Sequence, residues 1–380
     1  MNPLVLANEW TLSSIEEANH RVEASGGAPL QVSKDWPARR KGALHDAARL
    51  QLLATWARKA KEPSIRFHAA NEVQAVLDEL CEYAPGIVAL RLCESAIVGE
   101  HIELRRDALK PAIEKMQASD NLQWSKIVRG RTIDFTCVSG SKVQYLRPLF
   151  ASRSGSAVKS AEPMYQMLKA LSIYITQSDS ELIPDTFIRS CGVFSSELMQ
   201  NTQEHATHDH AGRPYIEHAE GLIVSWKEMD EQFAIDFQGH ALLKQFWERE
   251  QSPVKDGAAN ALRCLQLSFF DTGPGFASRF TGLPIAELSD AQERDALLKS
   301  LKKNVTTKRK TGAGNGLPDV IGALRKIGGL IAIRSGRLFV FNSFEPNDSR
   351  DLFDFVDWTT TKLAPVEGVV VSLLVPLRRG

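Results

Sequence analysis

The stretch Phe194-Ser-Ser-Glu-Leu-Met-Gln-Asn-Thr-Gln-Glu-His-Ala206 decides how the rest of this chain is read. At about 3.6 residues per turn, Glu197, Asn201 and His205 fall at i, i+4 and i+8 on one stripe of a helix. Leu198 and Met199 point elsewhere, toward a core. Asparagine inside a helix competes for backbone hydrogen bonds, so its place between an acid and an imidazole asks for a use. Two readings stand at this point. The stripe is a solvated face, or it is a carboxylate and a carboxamide one turn apart that activate a nucleophile and ligate magnesium on a phosphate.

Two stretches downstream bear on that choice. Leu265-Gln-Leu-Ser-Phe-Phe270 reads as a buried strand running into Asp271-Thr-Gly-Pro-Gly275. Alone, Asp-x-Gly-Pro-Gly is a turn, with proline preset and glycine free for positive φ. At the exit of a core strand it also supplies a fixed carboxylate, Asp271, and two glycines, Gly273 and Gly275, that admit a flat ligand against the backbone. That setting suits the exocyclic amine of adenine. Lys308-Arg-Lys-Thr-Gly-Ala-Gly-Asn-Gly-Leu-Pro318 then puts Gly312, Gly314 and Gly316 in a loop that opens a helix, with Pro318 in the first turn. Free amides at a helix start suit a polyphosphate, and a flexible hinge is the plain alternative. Lys299, Lys302, Lys303, Lys308, Arg309 and Lys310 are a solvated face or, beside phosphates, a screen for their charge.

Polar helix, strand into Asp-x-Gly-x-Gly, and glycine loop into helix occur in one order. In this the chain resembles the GHKL ATPase superfamily of DNA gyrase, heat-shock chaperones, histidine kinases and MutL, over roughly residues 160–380. Glu197 and Asn201 match its N box, and Asp271, Gly273 and Gly275 match its adenine-binding box. Thr306-Thr307-Lys308 is similar to the lid end of many histidine kinases, and Gly312, Gly314 and Gly316 to the second glycine box. Residues 367–377 are similar to the closing strand, with Val369 where threonine is usual; Asn315 stands where histidine kinases usually carry leucine.

The resemblance implies an α+β chain whose residues 161–380 form a Bergerat-type α/β sandwich with a mixed sheet. It implies ATP and Mg2+ as ligands. Glu197 would be the general base, Asn201 the magnesium ligand, and Asp271 with Gly273 and Gly275 the adenine site. His205, Thr307, Lys308, Gly312, Gly314, Gly316 and Leu317 would complete the nucleotide contacts, and residues 276–311 would be a lid, mobile until nucleotide closes it.

Ahead of this unit, residues 29–33 and 64–68 read as strands, 44–60 as an amphipathic helix, and 72–83 as a helix beginning after Asn71. Residues 86–92 fit a third strand or the start of the next helix. The alternation predicts a smaller α/β domain over 1–118, similar in element order to the sulfate-transporter and anti-sigma-antagonist domains. Residues 102–116 read as a helix, 132–138 with 142–146 as a hairpin, and 150–161 as a linker, so 119–160 joins the two domains. Residues 164–176 carry helical spacing. Residues 101–111 resemble the phosphoacceptor sequence of histidine kinases, but Ile102 is inserted and the two long helices do not follow, so His101 is read as an exposed helical histidine. His205, His208 and His210 with Asp209 lack zinc spacing and read as solvated. Residues 221–226 and 232–237 read as strands, and 241–251 as a helix whose Leu242, Leu243, Phe246 and Trp247 face local packing or a partner.

A chain of 380 residues, 43% hydrophobic and 24% charged, has room for two cored domains. Its 46 basic and 46 acidic residues cancel, which argues against nucleic acid or anionic membrane as partners. No apolar run reaches the roughly 18 residues that span a bilayer, and no basic-then-apolar leader opens the chain. Cys81, Cys93, Cys137, Cys191 and Cys264 are scattered, as buried thiols in a reducing cytoplasm would be. Three functions fit: an ATP-hydrolysing switch, a kinase acting on a serine or histidine of a separate protein as anti-sigma factor kinases do, and a nucleotide sensor without turnover. Family analogy adds a homodimer.

Overall fold

The computed structural model describes residues 3–6, 8–67, 72–253, 260–306 and 316–378, with 303–306 described by backbone alone. Two sheets organise it. In the first, β1 (Leu4–Leu6), β2 (Leu30–Val32), β3 (Ser64–Phe67) and β4 (Ser95–Val98) lie parallel in chain order, and β5 (His101–Leu104) closes the edge antiparallel to β4. Helices carry each parallel crossover, as parallel neighbours require. Residues 84–92 are one of them: Pro85 sits in the first turn of the Ala84–Leu92 helix, which settles the strand-or-helix choice.

The second sheet holds β6 (Thr132–Val138), β7 (Ala219–Met229), β8 (Gln251–Pro253), β9 (Asn260–Asp271), β10 (Gly329–Gly336), β11 (Leu338–Phe344), β12 (Val356–Asp357) and β13 (Val366–Pro376). Its order is β12-β11-β10-β13-β9-β7-β6, with β8 on β9. Every pairing in it is antiparallel, so the mixed sheet expected for 161–380 is corrected: the parallel pairs belong to the N-terminal sheet. Between β6 and β7 the chain runs through two long helices, Ala161–Thr176 and Asp185–His205, which together bring it back to the end it left. A single helix would have delivered a parallel strand.

Alternation along β9 sends Leu265, Leu267, Phe269 and Asp271 to one face of the sheet. That face packs under the Ala161–Thr176, Asp185–His205 and Gly316–Ile327 helices in one core with Phe187, Phe194, Met199, Val320 and Leu324. The opposite face, with Ile223, Phe270 and Val370, packs against the Ala43–Lys59 helix, which in turn lies under Leu30, Val32, Ile65 and Phe67 of the first sheet. That helix is not amphipathic in use: 14 of its 17 residues are buried, because it is held between two sheets. Its polar residues find partners there. Ala43 N donates to Ser225 Oγ at 2.8 Å and Leu44 N to Gln266 Oε1 at 3.1 Å, satisfying helix-start amides from the sheet. His45 Nε2 meets Asp236 Oδ2 at 2.8 Å, and Arg49 is paired with Asp46.

Four further expectations are corrected. Residues 142–146 are not the second strand of a hairpin; β6 pairs with β7, and Ser141 N donating to Val138 O at 3.3 Å and Gln144 N to Ser141 O at 3.1 Å turn the chain repeatedly after β6. Residues 102–116 are not one helix: 101–104 pair with β4, and Pro111 separates the Arg105–Ala108 and Ala112–Asp120 helices. His101 is thus an exposed strand residue, bonded to Glu103 Oε1 at 2.8 Å. Residues 232–237 lie in a 3-10 helix, Glu231–Phe237, started by Asp230 capping Gln232 N; Phe233 and Phe237 are buried while Ile235 is exposed. The 150–161 stretch is pinned rather than loose, with Phe150 buried and bridged to Val158. All five cysteines are buried. Among the described residues no helix is long and apolar enough to cross a membrane.

Candidate functional site

The Asp185–His205 helix lies across the sheet with Phe187, Cys191, Phe194 and Met199 buried beneath it, Phe194 meeting Phe269 edge-on at 5.5 Å between ring centroids. Glu197 and Asn201 flank this buried face and are half-buried. His205, one turn further, leaves the sheet: its side chain is 59% exposed and 3.7 Å from Glu204, outside the cavities where its stripe-mates meet the sheet.

Asp271 ends β9 beside Val369 of β13, in register. Its Oδ1 accepts from Gly273 N at 2.9 Å and from the Arg279 guanidinium. Gly273 N and O are both used, since Gly368 N donates to Gly273 O at 2.6 Å and ties this loop to the start of β13. Gly273 sits so close to the end of the polar helix that a Cβ would come within 2.7 Å of Ala206 O. Gly275 (φ +81°) leads into the Phe276–Thr281 helix, whose Phe276 N donates to Ser335 Oγ at 2.9 Å.

Gly316 opens the Gly316–Ile327 helix, and its amide donates to Glu197 Oε2 at 2.9 Å. A side chain at 316 would meet Phe194 Cα at 2.9 Å and the Glu197 carboxylate at 2.8 Å, so only glycine lets the two helices touch here. Burial, then the charge of Glu197, raises the Asp319 carboxyl in the same first turn above its ordinary value. Leu317 lines the cavity beside Glu197. Thr307, Lys308, Gly312 and Gly314 lie outside the described residues.

Glu197, Asn201, Asp271, Gly316 and Leu317 thus come together from three separate stretches. Two small cavities mark the place, each about 20 Å³. One is lined by Asn201, Thr202, Asp271, Phe276, Arg279 and Val369, the other by Glu197, Asn201, Phe276, Leu301, Leu317 and Ile333. Asn201 and Phe276 border both. The donor set fits an adenine nucleotide: a carboxylate for the amine, a carboxamide oxygen for a metal, and a helix-start amide already holding an anion. The space does not, because each cavity holds about one water. Filling it are Phe276, Arg279 and Leu301. Of the expected lid over 276–311, residues 276–306 pack on the site: the Asp290–Thr306 helix is docked, with Leu297 and Leu301 in the main core and Glu293 bonded to Arg337 Nε at 2.6 Å.

Beside the site lies a group the sequence did not announce. Glu220 of β7 pairs in register with Asp271 and shares its face. Burial pushes its carboxyl up to about 8, against a 2.6 Å hydrogen bond from Gln203 Nε2 and helped by the Asp271 charge. It therefore carries a proton at neutral pH. Folding raises this acid above its unfolded value of 4.5, so the stability tied to its proton is complete below that value and lost as pH rises through about 8. Glu220→Gln is expected to remove this dependence, so the variant gains on the wild type by up to about 1.4 kcal/mol per pH unit across that window. Urea unfolding at pH 5 and pH 8 checks it, and a gap that stays constant between the two would refute it.

Arg279 was likewise unread. Its only signal was a lone basic residue eight positions beyond Asp271, meaningful once the Phe276–Thr281 helix turns it back. Nearby, Gln200, Gln203, Glu204, Thr207, His218 and Tyr145 line a wider cleft of about 450 Å³ that holds none of the predicted residues. Among the described residues no group of three or more His, Cys, Asp or Glu side chains is placed to hold a metal ion. No family model, curated protein or solved structure matches the chain.

Proposed function

We propose that the C-terminal part of this chain binds ATP with magnesium, in the manner of the histidine-kinase-like branch of the GHKL ATPases, and turns it over. One observation carries the reading: Glu197 and Asn201 of the polar helix and Asp271 of β9 line two neighbouring small cavities between that helix and the sheet, and Gly316 N, from a third stretch, is bonded to Glu197. Asp271 would take the adenine amine and Asn201 the metal, which when bound screens the phosphate charges. Gly316 N would turn from the Glu197 carboxylate to a phosphate oxygen, leaving Glu197 to accept a proton from the attacking water or hydroxyl. The scattered buried thiols fit a cytoplasmic protein, and a separate protein is a natural acceptor or target.

Incubation with γ-labelled ATP, alone and with cell lysate, tests this. Free phosphate means hydrolysis, label on a protein means phosphotransfer, and retained nucleotide with neither means a sensor, which would overturn the turnover claim. Glu197→Ala is expected to hold nucleotide within about threefold of wild type while turnover falls about a hundredfold or more. Unchanged turnover would remove Glu197 from the chemistry, and no retained nucleotide in either protein would remove the reading.

A further inference from the structure

The groups expected to grip a nucleotide are already gripped by the chain itself. At the base end, the Arg279 guanidinium donates to Asp271 Oδ1, engaging the carboxylate that would receive the adenine amine. The pair is enclosed, the two side chains being 11% and 8% exposed. At the phosphate end, the Glu197 carboxylate sits on the Gly316 amide, an anion where a phosphate oxygen would go. Between them, Phe276 borders both small cavities, and Leu301 of the Asp290–Thr306 helix closes the second. A cation stands for the amine and a carboxylate for the phosphate.

Resting on the nucleotide reading above, we propose that residues 276–306 are an autoinhibitory plug, with Arg279 as its key, and that nucleotide enters only when Arg279 leaves Asp271. Arg279 Nε is buried with no hydrogen-bond partner among the described residues, so the ion pair leaves a donor unsatisfied. Phe276 and Arg279 share one short helix, bounded by Gly275 (φ +81°) and Gly282 (φ +72°), where glycine's backbone freedom would let the helix swing away as a unit. A closed majority state lowers apparent affinity by the fraction of molecules that are open, and removing the key returns that factor.

The test is Mg-ATP titration of the full chain, wild type against Arg279→Ala and Arg279→Gln. Both variants are expected to bind about tenfold tighter or more. Hydrogen exchange on the wild type gives a second readout that needs no variant: amides of 276–306 should exchange faster once Mg-ATP is bound. Equal or weaker binding by both folded variants, or wild-type binding with no change in exchange over 276–306, overturns the plug and leaves the nucleotide reading standing. Failure of all three proteins to bind overturns the nucleotide reading itself, and the plug with it.

Discussion

Asp271→Asn is expected to weaken Mg-ATP binding by about a hundredfold or more. The substitution keeps shape and the bond from Gly273 N, because an amide oxygen can still accept it. What it changes is the second position, which becomes an NH2 facing the NH2 of adenine. Two donors then meet in a nearly closed setting, where an unmatched polar contact carries its full desolvation cost. The charge that holds Arg279 is lost too, so the variant opens without gaining a ligand. Isothermal calorimetry on wild type and variant, with circular dichroism as the check on folding, reads the result. Affinity within about threefold of wild type would show that Asp271 does not hold the base.

The largest stability effect is expected away from the site, at Asp46. Its carboxylate receives the Arg49 guanidinium, the Tyr83 hydroxyl and Lys41 N at 2.9 Å, and both members of the ion pair are fully buried between the two sheets. Burial, then the Asp46 charge, holds the Tyr83 hydroxyl well above its ordinary pKa, so it stays a donor. Asp46→Ala strands Arg49, and breaking a buried pair from one side costs about 3–5 kcal/mol. Asp46→Leu with Arg49→Met should recover most of that, since apolar replacement removes both desolvation costs. Urea unfolding of the three proteins decides it; a loss under about 1 kcal/mol for Asp46→Ala would mean the pair is already wet. The point bears on the site because the same helix reaches it. Gln51 Nε2 donates to Arg334 O at 3.2 Å, and Arg58 donates to Thr272 O at 3.2 Å, inside the Asp271 loop.

What the sequence showed of this molecule follows from where the physics is local. The polar helix, β9 and β13 were legible because long periodic runs and glycine punctuation speak for themselves. The neighbourhood of Glu197, Asn201, Asp271 and Gly316 came from motif order. Residues 232–237 alternate like a strand, yet the Asp230 cap and the burial of Phe233 and Phe237 one helical turn apart prevailed. The Ala43–Lys59 helix looked one-sided because a single chain cannot show that a second sheet will cover its polar side. Arg279 and Glu220 were invisible for a related reason. Their meaning depends on strand register and on a helix folding back, and neither is written in spacing. The mixed sheet failed because it rested on analogy; of the antiparallel pairings, the one between β6 and β7 fits the two helices that join those strands.

The central claim is that three separated stretches build one adenine nucleotide site. A crystal structure of the protein with magnesium and a non-hydrolysable ATP analogue tests it most directly. The account predicts the base amine on Asp271, the metal at Asn201, phosphate oxygen on Gly316 N, and Arg279 withdrawn. An analogue lodged instead in the cleft beside His218 and Gln203, with Arg279 still on Asp271, would contradict it.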